Sequence, residues 1–105
     1  MMDARPDRDH VQQKTDDRHL AGLLGSAGKS IASLPGAKRV VARLKLAHSP
    51  EDLTYLLQSV DLGVDESARR TIWEAAADTQ RWRETHALLL RSAEQHLIDR
   101  FSPSA

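Results

Sequence analysis

The sequence predicts an all-α protein: a small helical domain with a long C-terminal helix, completed as a helical homodimer. Three observations carry that prediction. Apolar residues recur every three or four positions from Leu20 to Leu34 and again from Ala68 to Phe101, the spacing that lines one face of an α-helix. Helix punctuation stands between these runs, with Pro35-Gly36, Ser49-Pro50 and Gly63 inside the chain and Pro103 near its end,. The core is thin: the chain has 105 residues of which 40% are apolar, and fourteen of those are alanine. A second copy is the nearest source of covering surface for so long a stripe.

Residues 1–15 hold few large apolar side chains after the two methionines, and Pro6 interrupts them. They read as a mobile tail, leaving 16–102 as a single helical domain. The first helix then runs from about Asp17 to Leu34, with Asp16 or Asp17 as N-cap and Pro35-Gly36 as its stop,. Its large side chains, Leu20, Leu23, Leu24, Ile31 and Leu34, form one stripe. Ala21, Gly25, Gly28 and Ala32 form a second stripe of small residues. Each glycine inside a helix costs about 1 kcal/mol relative to alanine, so two on one line imply a closely packed neighbouring helix, within the fold or across a dimer.

Residues 37–48 admit two conformations. As a strand, residues 39–46 alternate, with Val40, Ala42, Leu44 and Leu46 on one face and Arg39, Val41, Arg43 and Lys45 on the other,. As a helix, Val40, Val41, Leu44 and Ala47 make a looser stripe, and the content of Ala, Leu, Arg and Lys favours this form. The next helix is sharply marked: Ser49 as N-cap, Pro50 at the first helical position, Asp52 at the capping-box place, and a stop at Gly63 after Leu62,. From Asp65 to Phe101 the apolar stripe keeps its phase through Ile72, Trp82, His86, Leu89, Leu90 and Leu97. A single helix of that length would span about 54 Å. A break near Asp78-Thr79 is the alternative, but the unbroken phase favours one continuous helix whose stripe a second copy covers.

Charge sharpens the reading. Fifteen Lys and Arg balance fifteen Asp and Glu, which excludes a uniformly basic coat for nucleic acid or an acidic tail. The balance is nevertheless uneven, with five bases and no acid between residues 20 and 50, and ten acids against six bases from 51 onward. The basic segment therefore has an acidic counterpart in the same chain or in a second copy. No cysteine occurs, which removes disulfides, thiol nucleophiles and Cys-type zinc sites. MMDARPDRDH resembles neither a secretory signal nor a transit peptide. Glycine aside, the longest apolar run is Ala87–Leu90, far short of the roughly 20 needed to span a membrane. A cytoplasmic protein is expected.

Chemical motifs are absent or incomplete. Gly25-Ser26-Ala27-Gly28-Lys29-Ser30 lacks the first glycine of a phosphate-binding loop, because position 23 is Leu23, and no apolar strand precedes it,. His10, His19, His48, His86 and His96 form no i, i+4 pair and no H-E-x-x-H pattern,. No metal, cofactor or small-molecule substrate is expected, and no enzymatic activity. Residues 39–74 resemble a ribbon-helix-helix module, with a basic strand, a helix from Pro50, a turn at Gly63 and a second helix. That resemblance implies a dimeric DNA-binding regulator contacting DNA through Arg39, Arg43 and Lys45. Asp65 and Glu66, where phosphate would dock, and Arg69 and Arg70, where the family has apolar residues, depart from the pattern.

The function expected first is therefore protein binding: a regulatory adaptor or inhibitor that occupies the association surface of a larger protein. Its partner-binding residues are expected among Leu20, Leu24 and Ile31 on the first helix, or Trp73, Leu88 and Ile98 off the stripe of the last,. Dimer packing is expected at Gly25, Gly28, Ile72, Trp82, Leu89 and Leu90.

Overall fold

A computed structural model describes the backbone of residues 4–102 and the side chains of residues 18–102. Five helices follow one another: α1 (Ala4–Ala32), α2 (Ala37–Leu46), α3 (Pro50–Gln58), α4 (Glu66–Ala77) and α5 (Trp82–Phe101). No strand occurs among the described residues, so the all-α class holds.

Helix α1 begins well before the expected cap at Asp16 or Asp17, because nothing at those positions interrupts the backbone ladder. Residues 1–3 of the expected tail lie outside the described residues, and from Ala4 the backbone continues into α1. Its far end closes in a tightened turn, Ser33 N–H to the Ser30 carbonyl at 3.1 Å and Leu34 N–H to that of Ile31 at 3.2 Å. Pro35 then prevents continuation.

Helix α2 settles the strand-or-helix choice for residues 39–46. Ala37, Val41 and Leu44 are its buried residues, four and three positions apart, so one helical face satisfies the core where a lone strand would leave its ladder unpaired. At α3 the Ser49 hydroxyl accepts from the Asp52 N–H at 3.1 Å, as the sequence implies. The Asp52 carboxylate accepts from the N–H of His48 at 3.3 Å, one residue outside the reciprocal capping-box position.

Two further boundaries differ from expectation. Helix α3 stops at Gln58, not Leu62, and the loop after it turns inward to bury Val60 and Leu62. In that loop the Asp61 carboxylate accepts from the Gly63 N–H at 2.9 Å. Gly63 is left-handed, φ 64°, and a side chain there would collide with the Ser30 hydroxyl of α1.

The expected continuous C-terminal helix breaks at Asp78. Its N–H reaches back to the Ala75 carbonyl, its carbonyl accepts from Arg81 at 3.1 Å and Trp82 at 2.9 Å, and its carboxylate accepts from Gln80 N–H at 2.8 Å. One residue thus ends α4 and opens α5 through an Asx-type turn. The turn folds the two halves onto the same core, which holds Ile72, Ala75 and Ala76 from α4 together with Leu89 and Ala93 from α5. Apart from Phe101 at its end, the stripe is covered within the chain, so a long uncovered helix no longer calls for a dimer.

The longest seam is between α1 and α5. Ser92 donates to the Gly25 carbonyl at 2.8 Å, and Arg100 donates to the Ala32 and Leu34 carbonyls at 2.8 Å each. Pairs advancing together along both helices mean that α1 and α5 run parallel. Helix α2 returns between them in sequence and runs against α5, with Lys45 at Glu94 and Lys38 at Phe101. Arg100 supplies cationic donors to the last carbonyl of α1 and to that of Leu34 in the turn after it, groups that a helix end leaves without partners.

Candidate interaction surfaces

The fold sorts the expected partner-binding residues into two groups. Leu20, Leu24 and Ile31 are buried, held inside by α4 and α5, so this face of α1 is not open to another molecule. Leu88 is partly buried against the core. Trp73 and Ile98 stay exposed, at 40% and 60%.

The residues expected to pack a dimer are largely used within one chain. A Cβ on Gly28 would stand 2.7 Å from the Ala93 backbone nitrogen, so this glycine lets α1 and α5 touch. Gly25 offers its carbonyl to Ser92. Ile72 and Leu89 are fully buried, while Trp82 and Leu90 are partly so. The small-residue stripe thus marks an internal seam.

The residues singled out for DNA contact lie on a helix. Arg39, Arg43 and Lys45 are exposed on α2, and Lys45 pairs with Glu94 at 2.9 Å. Without a strand at 39–46, the ribbon that would enter a groove does not form. The phosphate-loop-like stretch 25–30 likewise lies inside α1, where backbone N–H groups are spent on the helix ladder and cannot cradle an anion.

Two histidines, His86 and His96, serve the packing. His86 places Nε2 2.6 Å from the Leu44 carbonyl, tying α5 to the last turn of α2, and meets Trp82 edge-on at 6.4 Å. His96 Nδ1 lies 2.9 Å from the Ser92 carbonyl one turn back. Among the described residues, no three His, Asp or Glu side chains gather as metal ligands would. No helix among them is long and apolar enough to cross a membrane.

Two apolar surfaces remain open. The first is the end of α5, where Ile98 and Phe101 are 60% and 50% exposed one turn apart. Lys38 Nζ lies 4.4 Å from the centre of the Phe101 ring and the Arg100 guanidinium carbon 4.8 Å from it. Phe101 was expected inside the stripe. It falls outside because α5 there runs past the turn that ends α1, where the arms of Lys38 and Arg100 lie over its ring.

The second is a groove of about 520 Å³ between α2 and α3, lined by Arg43, Leu46, Ala47, Glu51, Asp52, Tyr55, Leu56 and Ser59. Leu46 and Tyr55 project beside it, 76% and 69% exposed. Neither was singled out as a contact residue. The signal was present once α2 is helical: two residues on from buried Leu44 is about 200° around the helix, which points Leu46 outward. Tyr55 is opposite Leu53, Leu56 and Leu57 on α3 by the same reasoning. A shallower hollow of about 270 Å³ lies beside Trp73, lined by Glu66, Arg69 and Arg70.

No protein-family model matches the chain, and comparison with curated proteins and with solved structures finds no match.

Proposed function

We propose that this chain is a small non-enzymatic regulatory protein that acts by protein binding, laying the end of α5 on the association surface of a larger protein. The observation that supports this most is the pairing of Ile98 with Phe101, two large apolar side chains on one helical face left in water. Apolar residues a turn apart on a helix form a compact anchor for a groove. Lys38 and Arg100, both held over the Phe101 ring, place positive charge at the rim of that anchor. A partner surface with an apolar pocket bordered by Asp or Glu is the complement, since opposite charge at a rim speeds encounter and excludes wrong partners.

The test is affinity capture with the full chain, run in parallel with an Ile98→Ser/Phe101→Ser variant whose helical content is checked by circular dichroism. The expected result is a protein retained by the parent and lost from the variant at unchanged helicity. Equal retention by both would remove α5 from the binding surface. Tight binding of random duplex DNA that weakens steeply with salt would instead favour the nucleic-acid function.

A further inference from the structure

We propose that the groove between α2 and α3 seats a second copy of this chain, in a two-fold dimer where α2 of each copy lies along α3 of the other. This surface is separate from the end of α5, and neither proposal depends on the other.

The charges of the two helices carry the inference. Helix α2 holds Lys38, Arg39, Arg43 and Lys45 and no acid, while α3 holds Glu51 and Asp52 and no base. At the groove itself Arg43 stands on the α2 side and Glu51 and Asp52 on the α3 side, with Asp52 also holding His48 Nδ1 at 3.1 Å. Lys45 is engaged with Glu94 and Lys38 with Phe101. No carboxylate among the described residues pairs with Arg43, although it lines the groove together with Glu51 and Asp52. A two-fold axis running along the groove exchanges its walls, so each Arg43 faces Glu51 and Asp52 of the other copy. The surface is then self-complementary, as an isologous interface must be. An unrelated protein would have to present both signs in the right order, whereas a second copy does so by symmetry.

Leu46 on α2 and Tyr55 on α3 also line the groove and are the most exposed large apolar side chains described. The same two-fold brings Leu46 of one copy toward Tyr55 of the other, removing both from water. Helices of ten and nine residues offer only about 15 Å of length each. That is less surface than the ~800 Å² per partner of a standard interface, so the dimer is reversible, with a dissociation constant of about 1–100 μM.

Sedimentation equilibrium of the full chain, from about 1 μM to 1 mM, tests the proposal. The parent chain should pass reversibly from monomer to dimer. Arg43→Glu alone, and separately Glu51→Lys/Asp52→Asn, should each weaken association about tenfold, because both symmetric contacts become repulsive. The Ser49 hydroxyl still accepts from the N–H of residue 52, and the asparagine keeps an oxygen for the His48 N–H, so α3 stays capped. An equimolar mixture of the two variants should recover a dimer of parental strength, since each chain then meets its opposite on both sides. A parent that stays monomeric throughout overturns the proposal. So does a dimer indifferent to both variants, or a mixture no tighter than its components, and Leu46→Glu gives a further check by abolishing association at unchanged helicity.

Discussion

The α1–α5 seam and the α2–α3 groove meet the same problem with opposite residues. At the seam, Ala27, Gly28, Ala32 and Ala93 are buried, small enough for two long helices to approach until Gly28 touches the backbone of its neighbour. At the groove, Leu46 and Tyr55 are large and stand in water. Helices α2 and α3 are short and joined by only residues 47–49, so each spends one face on the core and leaves the other over. Side-chain size therefore does not rank burial in this molecule. What ranks it is whether an element is long enough, and its neighbour near enough, to cover both flanks of its stripe.

The sharpest way to break the comparison is to truncate one leucine on each side. Leu24 is wholly buried, and Leu24→Ala should cost about 2–5 kcal/mol, through lost transfer free energy and the cavity left behind. Urea denaturation followed by circular dichroism measures it. A cost below about 1 kcal/mol would mean that α1 is not the wall of the core.

The glycines give the next largest contrast. Gly28→Ala brings a methyl group against the Ala93 nitrogen, a backbone atom that cannot rotate away, and overpacking of this kind costs about 1–3 kcal/mol. Gly25, one turn earlier, has nothing within 4 Å of where a Cβ would stand. There alanine should stabilise by up to about 1 kcal/mol, through helix propensity alone. Two Gly→Ala changes three residues apart should thus shift the urea midpoint in opposite directions. Stabilisation by both would refute close packing at Gly28.

Much of this architecture was legible in the sequence, and the illegible parts share a cause. Ser49-Pro50 marks α3 because cap chemistry is local, and the period of α1 exposes its stripe because periodicity is local too. Which molecule covers a stripe is not local. The small-residue line of Gly25 and Gly28 announces a close neighbour without saying that α5 of the same chain is that neighbour. Asp78 breaks the last helix without glycine or proline, through four short-range hydrogen bonds, while the apolar phase runs on across it. For the surfaces, Trp73 and Ile98 were visible as residues off the stripe. Leu46 was not, because its direction depends on whether 39–46 is strand or helix.

The closed side carries one imperfection. Thr85 is 1% exposed, and its hydroxyl finds no hydrogen-bond partner among the described residues. A buried, unpaired polar group costs about 1–3 kcal/mol, although a bound water would relieve part of it. Thr85→Val keeps the branched shape and removes the orphan. It should raise the thermal midpoint, by about 1 kcal/mol of stability. A fall would show that the hydroxyl is satisfied after all, by water or by a shifted rotamer.

The smallest effect completes the comparison. Leu46→Ala removes as many atoms as Leu24→Ala, yet three-quarters of Leu46 is already in water, so little transfer free energy is lost and no cavity forms. Alanine is also the better helix former, which offsets the remaining contact with the groove wall. The monomer's stability should change by no more than about 0.5 kcal/mol. Measured by urea denaturation at low concentration, where monomer dominates, the value isolates the fold from association. A loss comparable to that of Leu24→Ala would place Leu46 in the core and close the groove as an open surface. An unchanged midpoint at low concentration, with a lowered one at high concentration, would assign the cost of that leucine to the interface between copies.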